Sequence, residues 1–315
     1  MSIISDQLAH TLEKYENNNI KGEFYNGKVR DNYFFKDEIL MITSDRVSAF
    51  DHVLGTIPFK GQILTEIAKF WFDKTKDIVP NHIISHPDPQ VLIAKKAKTL
   101  PVEVIVRKYI TGSLWREYSE GINEQYGFKI PDNLVKNQKF SKPILTPSTK
   151  AEYGLHDEPI SRKKIVESLV DEKIYKKAED YAIQLFEAGQ EWANKRGLIL
   201  VDTKYEFGMY NDELIVIDEI HTPDSSRYWI KEEYNNRFQN NLDQKMLDKE
   251  NIRKWLIDRG FKGDGVPPKL TDDIRIYLSE KYIELYNRLT GKNFEPSIGD
   301  VQTRITQSLK NSSII

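Results

Sequence analysis

Apolar residues along the chain change their spacing several times, and each change marks a different element. Ile4, Leu8, Leu12 and Tyr15 recur at helical intervals, so a helix is expected over residues 3 to 16. From about 22 to 58 the texture becomes that of strands. EFYNGKVRDNYFF sets Asn26-Gly27 between two aromatic-rich runs, a tight-turn signature, and EILMIT ends at Ser44-Asp45, where a loop should begin. Ile63, Ile67, Phe70 and Trp71 share one face of a helix expected at 62 to 76. Residues 77 to 90, punctuated by proline and histidine, read as a connection. VEVIVRKYITGSLWREY reads as strand, glycine turn and helix. Residues 131 to 160 carry four prolines and few apolar runs, which predicts a long loop of the kind that is functional or disordered. Ser161 opens a helical stretch that runs to Gly197 with a break near Asp171, and two amphipathic helices over 244 to 291 end near Gly260 and Gly291. Strands dominate the first third and helices the last, around a central strand pair: α+β in two lobes, with a boundary near residue 98.

That central pair carries an anomaly. LVDTKYEFG (200 to 208) places Asp202, Lys204 and Glu206 at every second position, so one strand face receives all three. The next strand, LIVI, runs into Asp218 and Glu219. A three-residue loop at 211 to 213 pairs Tyr210 with Leu214 and sets Glu206 opposite Asp218, with Cβ atoms about 5 Å apart. A two-residue loop sets Glu206 opposite Ile217 instead, and that carboxylate pair is lost. Opposed carboxylates repel unless a cation joins them, and Mg²⁺ is commonly held by one or two carboxylates plus nucleotide phosphates. Alternating charge most often marks a solvent-facing side. Against that, the flanking LILV and LIVI runs suit strands buried on both faces, where charges need partners.

Composition narrows the classes. The chain has 315 residues, 39% of them hydrophobic, enough for a sizeable core in one large or two moderate domains. Its 46 basic and 48 acidic residues leave a net charge of −2, unlike a nucleic-acid binder. No apolar run of about 18 residues is present to span a membrane, and the N-terminal stretch lacks the basic and apolar regions of a secretory signal. Without cysteine there are no disulfides, thiolate metal sites or cysteine nucleophiles. A soluble protein of the cytoplasm is expected, and the sequence assigns no oligomeric state.

Other groups suit a phosphorylated ligand. Lys28 and Arg30 lie two apart beside Gly27, where one strand face would present both, although K-x-R on a strand is usually surface and matches no nucleotide fingerprint. Arg227 follows Ser225 and Ser226 in TPDSSR, and Arg107 precedes Ser113 in VRKYITGS; either set could grip a phosphate through the arginine fork or be turn chemistry. LTPSTKAEYGLHDE holds Lys150, Glu152, His156 and Asp157, a hint of acid-base work in what composition reads as a solvated loop.

In order, GKVRDNY, TSDRVSAFD, PVEVIVRKYITGSLW, ILTPSTKAEYGLHDE, LVDTKYEFG and VIDEIHTPDSSRYW resemble one family closely, the SAICAR synthetases (phosphoribosylaminoimidazole-succinocarboxamide synthases) of purine biosynthesis. The likeness runs from about residue 27 to 229, with a weaker echo in DQKMLDKENIRKWL. It implies a two-lobed α+β fold with ATP in the cleft: a smaller β-rich lobe over 1–98 with a phosphate-covering hairpin, and a larger α+β lobe over 99–315 with the metal, ATP and substrate sites. The implied reaction joins L-aspartate to the carboxylate of carboxyaminoimidazole ribonucleotide (CAIR), with ATP giving ADP and phosphate through a carboxyl phosphate. Phosphoryl transfer asks mainly for positioning and charge neutralisation.

By this resemblance Glu206 and Asp218 hold Mg²⁺, Lys28 and Arg30 contact the ATP phosphates, and Lys204 balances charge, so that Lys28, Lys204, Glu206 and Asp218 form the catalytic set. Arg107, Ser113 and Arg227 match positions that hold the ribonucleotide 5′-phosphate. Glu103 matches a carboxylate near the imidazole, with a second Mg²⁺ as one option. Ser44, Asp45, Arg46, Lys150, Asp157 and Asp224 are expected among the substrate contacts. Neither nucleic acid nor membrane is implied as a partner. A small-molecule kinase of related fold is the alternative, against which the TPDSSR and ITGS motifs argue.

Overall fold

A computed structural model describes residues 3–150 and 157–315, so Glu152 and His156 lie outside the described residues. Five antiparallel strands form a first sheet: β1 (Glu23–Asn26), β2 (Arg30–Phe34), β3 (Glu38–Thr43), β6 (Ile83–Asp88) and β7 (Val91–Lys95), in the order β1-β2-β3-β7-β6. Between β3 and β6 come the small hairpin β4 (Arg46–Ala49) and β5 (His52–Thr56), then helix α2 (Lys60–Thr75).

The second sheet is built on two long strands, β8 (Lys98–Tyr109) and β11 (Leu198–Tyr210), which pair antiparallel. β9 (Lys139–Leu145) and β10 (Ser148–Thr149) flank β8, while β12 (Glu213–Ile217) and β13 (Ser226–Ile230) pair with opposite parts of β11. The helices around it are α3 (Gly112–Ser119), α4 (Arg162–Ser168), α5 (Glu172–Lys195), α6 (Lys231–Gln239), α7 (Glu250–Ile257) and α8 (Asp272–Thr290). α5 buries Tyr175, Ala178, Ala182, Leu185, Phe186 and Ala193, a helical stripe, in a core shared with the sheet. Its start is fixed by Asp171, whose side chain accepts from the Lys173 and Ile174 N–H groups, and α4 is capped likewise by Ser161.

The first sheet ends at Lys95 and the second begins at Lys98, but the hydrophobic clusters do not divide there. α2 packs into the same core as β8, β11 and α8, with Trp71 and Ile67 fully buried. Conversely α9 (Val301–Asn311), at the far end of the chain, lays Val301, Ile305 and Leu309 against Leu12, Tyr15, Leu40 and Ile42 of the first sheet's cluster. No helix of the described residues is long and apolar enough to cross a membrane.

Three sequence expectations change. The helix predicted over 3 to 16 stops early: α1 spans only Ile3–Asp6, followed by a 3-10 turn. Beyond it the carboxylates of Asp45 and Asp31 accept the N–H groups of Leu12 and Tyr15 (both 2.7 Å), and this tertiary bonding overrides local helical spacing. The connection at 77 to 90 contains β6, and the loop at 131 to 160 contains β9 and β10. Both β6 and β9 lie at sheet margins, where proline is tolerated because its missing donor faces away from the ladder.

Candidate active site

One β-bulge decides where the charges of β11 point. Leu198, Leu200, Tyr205 and Phe207 belong to the main core, whereas Ile199 and Val201 pack in a separate cluster on the other face with Trp229. Strict alternation would send Asp202 into the core beside Leu200. Between Leu200 and Asp202 the pairing with β13 slips by one residue, and the slip carries Asp202, Lys204 and Glu206 out onto the opposite face.

On that face the charges form two rows across the strands. In the first, Arg107 of β8, Asp202 of β11 and Arg227 of β13 are register partners. Asp202 Oδ2 accepts from Arg107 Nη1 (3.1 Å) and from Arg227 Nη1 (2.5 Å). Arg107 Nε donates to Thr146 Oγ1 (2.8 Å), and Arg227 Nε to Glu250 Oε2 (3.2 Å). Ser113, in the first turn of α3, lies 3.3 Å from Arg107 Nη2. Thr111 at the N-cap gives its hydroxyl to Asn137 and leaves that helix start without a side-chain cap. The next residue, Gly112, has φ +60, and a Cβ there would sit 2.3 Å from Arg227 Nη2. Only glycine lets the guanidinium lie this close to the helix start. Arg107, Ser113, Asp202, Arg227 and Glu250 line a cleft of about 190 Å³ with Ser225, Lys249 and Arg253, suited to a phosphate by its cations and by Ser113 at the uncapped start of α3.

The second row sits four residues along β11, about 13 Å away at strand rise. Here the carboxylate facing Glu206 across the ladder is Glu103 of β8, with Ser148 of β10 beyond it. Lys204 Nζ joins the two carboxylates, at 2.6 Å from Glu103 and 2.9 Å from Glu206, and Lys150 also pairs with Glu206. Burial opposes ionisation of Glu206, but Lys204 and Lys150 outweigh it and hold the carboxyl well below the usual range. Burial raises Glu103 despite Lys204, with Glu206 and Asp157 adding repulsion. Lys204 is pushed up by Glu206 and Glu103 against its burial.

The expected opposition of Glu206 and Asp218 is corrected. β11 and β12 pair Tyr210 with Glu213 and Glu206 with Ile217, the two-residue loop. Asn211 and Asp212 both take positive φ (48 and 62), the type I′ turn that suits strand twist. Asp218 nonetheless reaches the site. The strand ends at Ile217, and Asp218 turns left-handed (φ 65), so its carboxylate couples electrostatically to Glu206 and Lys204. Burial raises Asp218 to about 6 despite Arg30, and Glu206 and Glu219 add to the rise.

The other expected site residues have these surroundings. Lys28 sits in the turn between β1 and β2, not on a strand face beside Arg30, and its exposed ammonium pairs with Asp51 (2.5 Å). Arg30 spans from the first sheet to Asp218 (2.5 Å) and Glu219 (3.1 Å). Ser44, Asp45 and Arg46 are buried, and each has protein partners. Ser44 donates to the Val29 carbonyl, Asp45 accepts from the backbone of Leu12 and Gly61, and Arg46 pairs with Asp31 and bonds the carbonyls of Gly27 and Lys28. The last two bonds brace the β1–β2 turn. Asp224 is held by Lys60 (2.8 Å), a lysine with no exposed surface, and Lys60 and Lys249 keep it at about 2 although burial acts the other way. The sequence did not single out Lys60, Thr146 and Glu250, whose partners Asp224, Arg107 and Arg227 are remote in the chain, or Arg253, which pairs with Glu250 on its own helix.

Among the described residues no three metal-ligating side chains converge. The donor set at Glu103 and Glu206, with Asp218 beside it, is a carboxylate pair that already requires cations. Oxygen ligands of this kind suit a hard divalent ion whose other ligands are phosphate and water.

A SAICAR synthetase family model matches residues 23–270. A phosphoribosylaminoimidazole-succinocarboxamide synthase of Bacteroides thetaiotaomicron is 46% identical over 293 residues, covering 91% of this chain and 93% of that protein. Among solved structures, the SAICAR synthase of Saccharomyces cerevisiae complexed with SAICAR aligns with a TM-score of 0.79 and 34% identity, over 90% of this chain and all of that one. A type-2 SAICAR synthetase in complex with ADP aligns with a TM-score of 0.66 and 27% identity, over 87% of this chain and all of that one.

Proposed function

This chain belongs to the SAICAR synthetase family, and from that premise we propose how its residues divide the family's reaction. The reaction is the ATP-dependent joining of L-aspartate to the carboxylate of CAIR in purine biosynthesis, and the kinase alternative is not favoured. One observation supports the division most: two charged rows lie on one sheet face, a phosphate grip at one end and a carboxylate pair at the other.

In this reading Arg107, Arg227 and Ser113 take the 5′-phosphate of CAIR, and the ribose lies along β11 past Lys204. The imidazole carboxylate then meets the Glu103–Glu206 row. ATP enters from the first sheet, with the β1–β2 turn braced over its phosphates by Arg46 and with Arg30 and Lys28 supplying positive charge. Glu206 and Asp218 would hold Mg²⁺, with Glu103 serving a second ion near the imidazole carboxylate, and the metal would neutralise phosphate oxygens during transfer. Lys204 orients both carboxylates and remains beside the developing charge. Lys150, which pairs with Glu206, would be free to reach substrate once that carboxylate serves a metal. The γ-phosphoryl moves to the imidazole carboxylate as ADP leaves. The aspartate amine attacks the resulting acyl carbon, an amide bond forms, and phosphate departs. A cytoplasmic location fits these small metabolic substrates.

The test is ADP release by the purified protein with ATP and Mg²⁺, with CAIR and L-aspartate varied separately. Full turnover requires both. Glu206→Ala abolishes it through lost positioning of the metal and nucleotide, and Arg227→Ala raises KM for CAIR. Near-parental turnover in the first variant, or an unchanged KM in the second, contradicts the division.

A further inference from the structure

Asp202 places a negative charge at the centre of the site assigned to an anion. It is 3% exposed, so water does not mask it. A carboxylate there lowers the positive potential that a phosphate meets, and on charge alone it should weaken binding. Five cationic and four acidic side chains line this cleft, so each unit of charge matters to the balance.

Geometry supplies the opposing effect. Each arginine fork is held from behind at two of its three nitrogens. Arg107 is held at Nε by Thr146 and at Nη1 by Asp202; Arg227 at Nε by Glu250 and at Nη1 by the same oxygen, Asp202 Oδ2. The third nitrogen of each, Nη2, lies at the start of α3: Arg107 Nη2 donates to Ser113 Oγ (3.3 Å), itself a group assigned to the phosphate, and Arg227 Nη2 lies against Gly112. Both Nη2 edges converge on the first turn of that helix. A single oxygen on the central strand sets the angle between two guanidinium planes carried by the strands on either side.

We infer that Asp202 is a positioning residue for the phosphate: it fixes the two arginines as a pre-aligned pair, and this orientation outweighs the repulsion it brings. The inference rests on the phosphate-grip reading above. Guanidinium groups gain much of their advantage from preset bidentate geometry, so the loss of one shared acceptor affects two forks at once.

Charge and orientation predict different outcomes for two variants. Asp202→Asn removes the charge, and Asp202→Glu keeps it while moving the oxygen by one methylene. Ribose 5-phosphate binding is measured by titration calorimetry, KM for CAIR and for ATP by turnover, and folding by thermal melting. The expected result is about tenfold weaker ribose 5-phosphate binding and about tenfold higher KM for CAIR in both variants, with KM for ATP within twofold. Tighter binding by Asp202→Asn, or unchanged binding by Asp202→Glu, overturns the inference. If Asp202→Asn does not fold, Asp202→Glu decides alone. Arg227→Ala separates the two readings. If it binds ribose 5-phosphate as the parent does, the phosphate site itself is wrong; if only the Asp202 variants bind normally, the site stands and the positioning role falls.

Discussion

Replacing Lys204 by methionine tests the carboxylate row with little change of volume. The ammonium bridges Glu103 and Glu206, which face one another across β8 and β11. Without it two carboxylates remain with Cβ atoms about 5 Å apart. At that separation and an effective dielectric constant of about 20, unit charges repel by roughly 3 kcal/mol. The Lys204 side chain is 32% exposed and Lys150 still contacts Glu206, so water and the second ammonium screen part of this. About 1.5–2 kcal/mol of destabilisation at neutral pH is expected, a fall of roughly 3 °C in Tm for a chain of this size. The loss should shrink on acidification. Burial already raises the Glu103 carboxyl and loss of Lys204 raises it further, so the folded variant takes up a proton before the unfolded chain does, and stability returns as pH falls toward the ordinary carboxylate range. Added Mg²⁺ should raise the variant's Tm more than the parent's, since a divalent ion can replace the missing cation. Thermal unfolding at pH 7.5 and 5.5, each with and without Mg²⁺, measures all three effects. A Tm equal to the parent's at neutral pH, or a deficit that widens at acid pH, would refute the reasoning.

Gly112→Ala places a Cβ 2.3 Å from Arg227 Nη2 at a backbone φ of +60. Strain of about 1–2 kcal/mol should appear in melting, together with a KM for CAIR raised tenfold or more as the guanidinium is displaced. Asp248 accepts backbone N–H groups of Tyr228 and Glu250, yet burial raises its carboxyl to about 7 from the ordinary 3.8. Folded protein therefore keeps a proton that the unfolded chain releases, and this group's contribution to stability is lost as pH rises from about 4 to 7. Asp248→Asn removes that slope, seen in the difference between parental and variant unfolding curves across the interval; parallel curves would contradict it.

Elements whose signals are local were legible in the sequence. Ser161, Asp171 and Gly291 mark helix ends by their own cap chemistry, and the stripe of α5 is complete within one helix. The type I′ turn at Asn211-Asp212 was open between two loop lengths, and its backbone settled the register against an opposed Glu206 and Asp218. What the sequence hid depends on distant residues. Asp45 and Arg46 carry motif-like charges, and their partners at Leu12, Gly61 and Asp31 come from distant parts of the chain. Lys60 gives no hint of Asp224, 164 residues away. The surroundings of Asp202 could not be read from its strand alone, because they need a bulge and two neighbouring strands at once.

The exchange of helices between the two sheets has a consequence for synthesis. The first sheet is complete by Lys95, but its cover α9 begins at Val301. At about 5–20 residues per second, the ribosome needs roughly 10–40 s to make the intervening chain. Throughout that interval the inner surface around Leu40 and Ile42 lacks its final partner, and a nascent chain must be shielded until its last helix emerges.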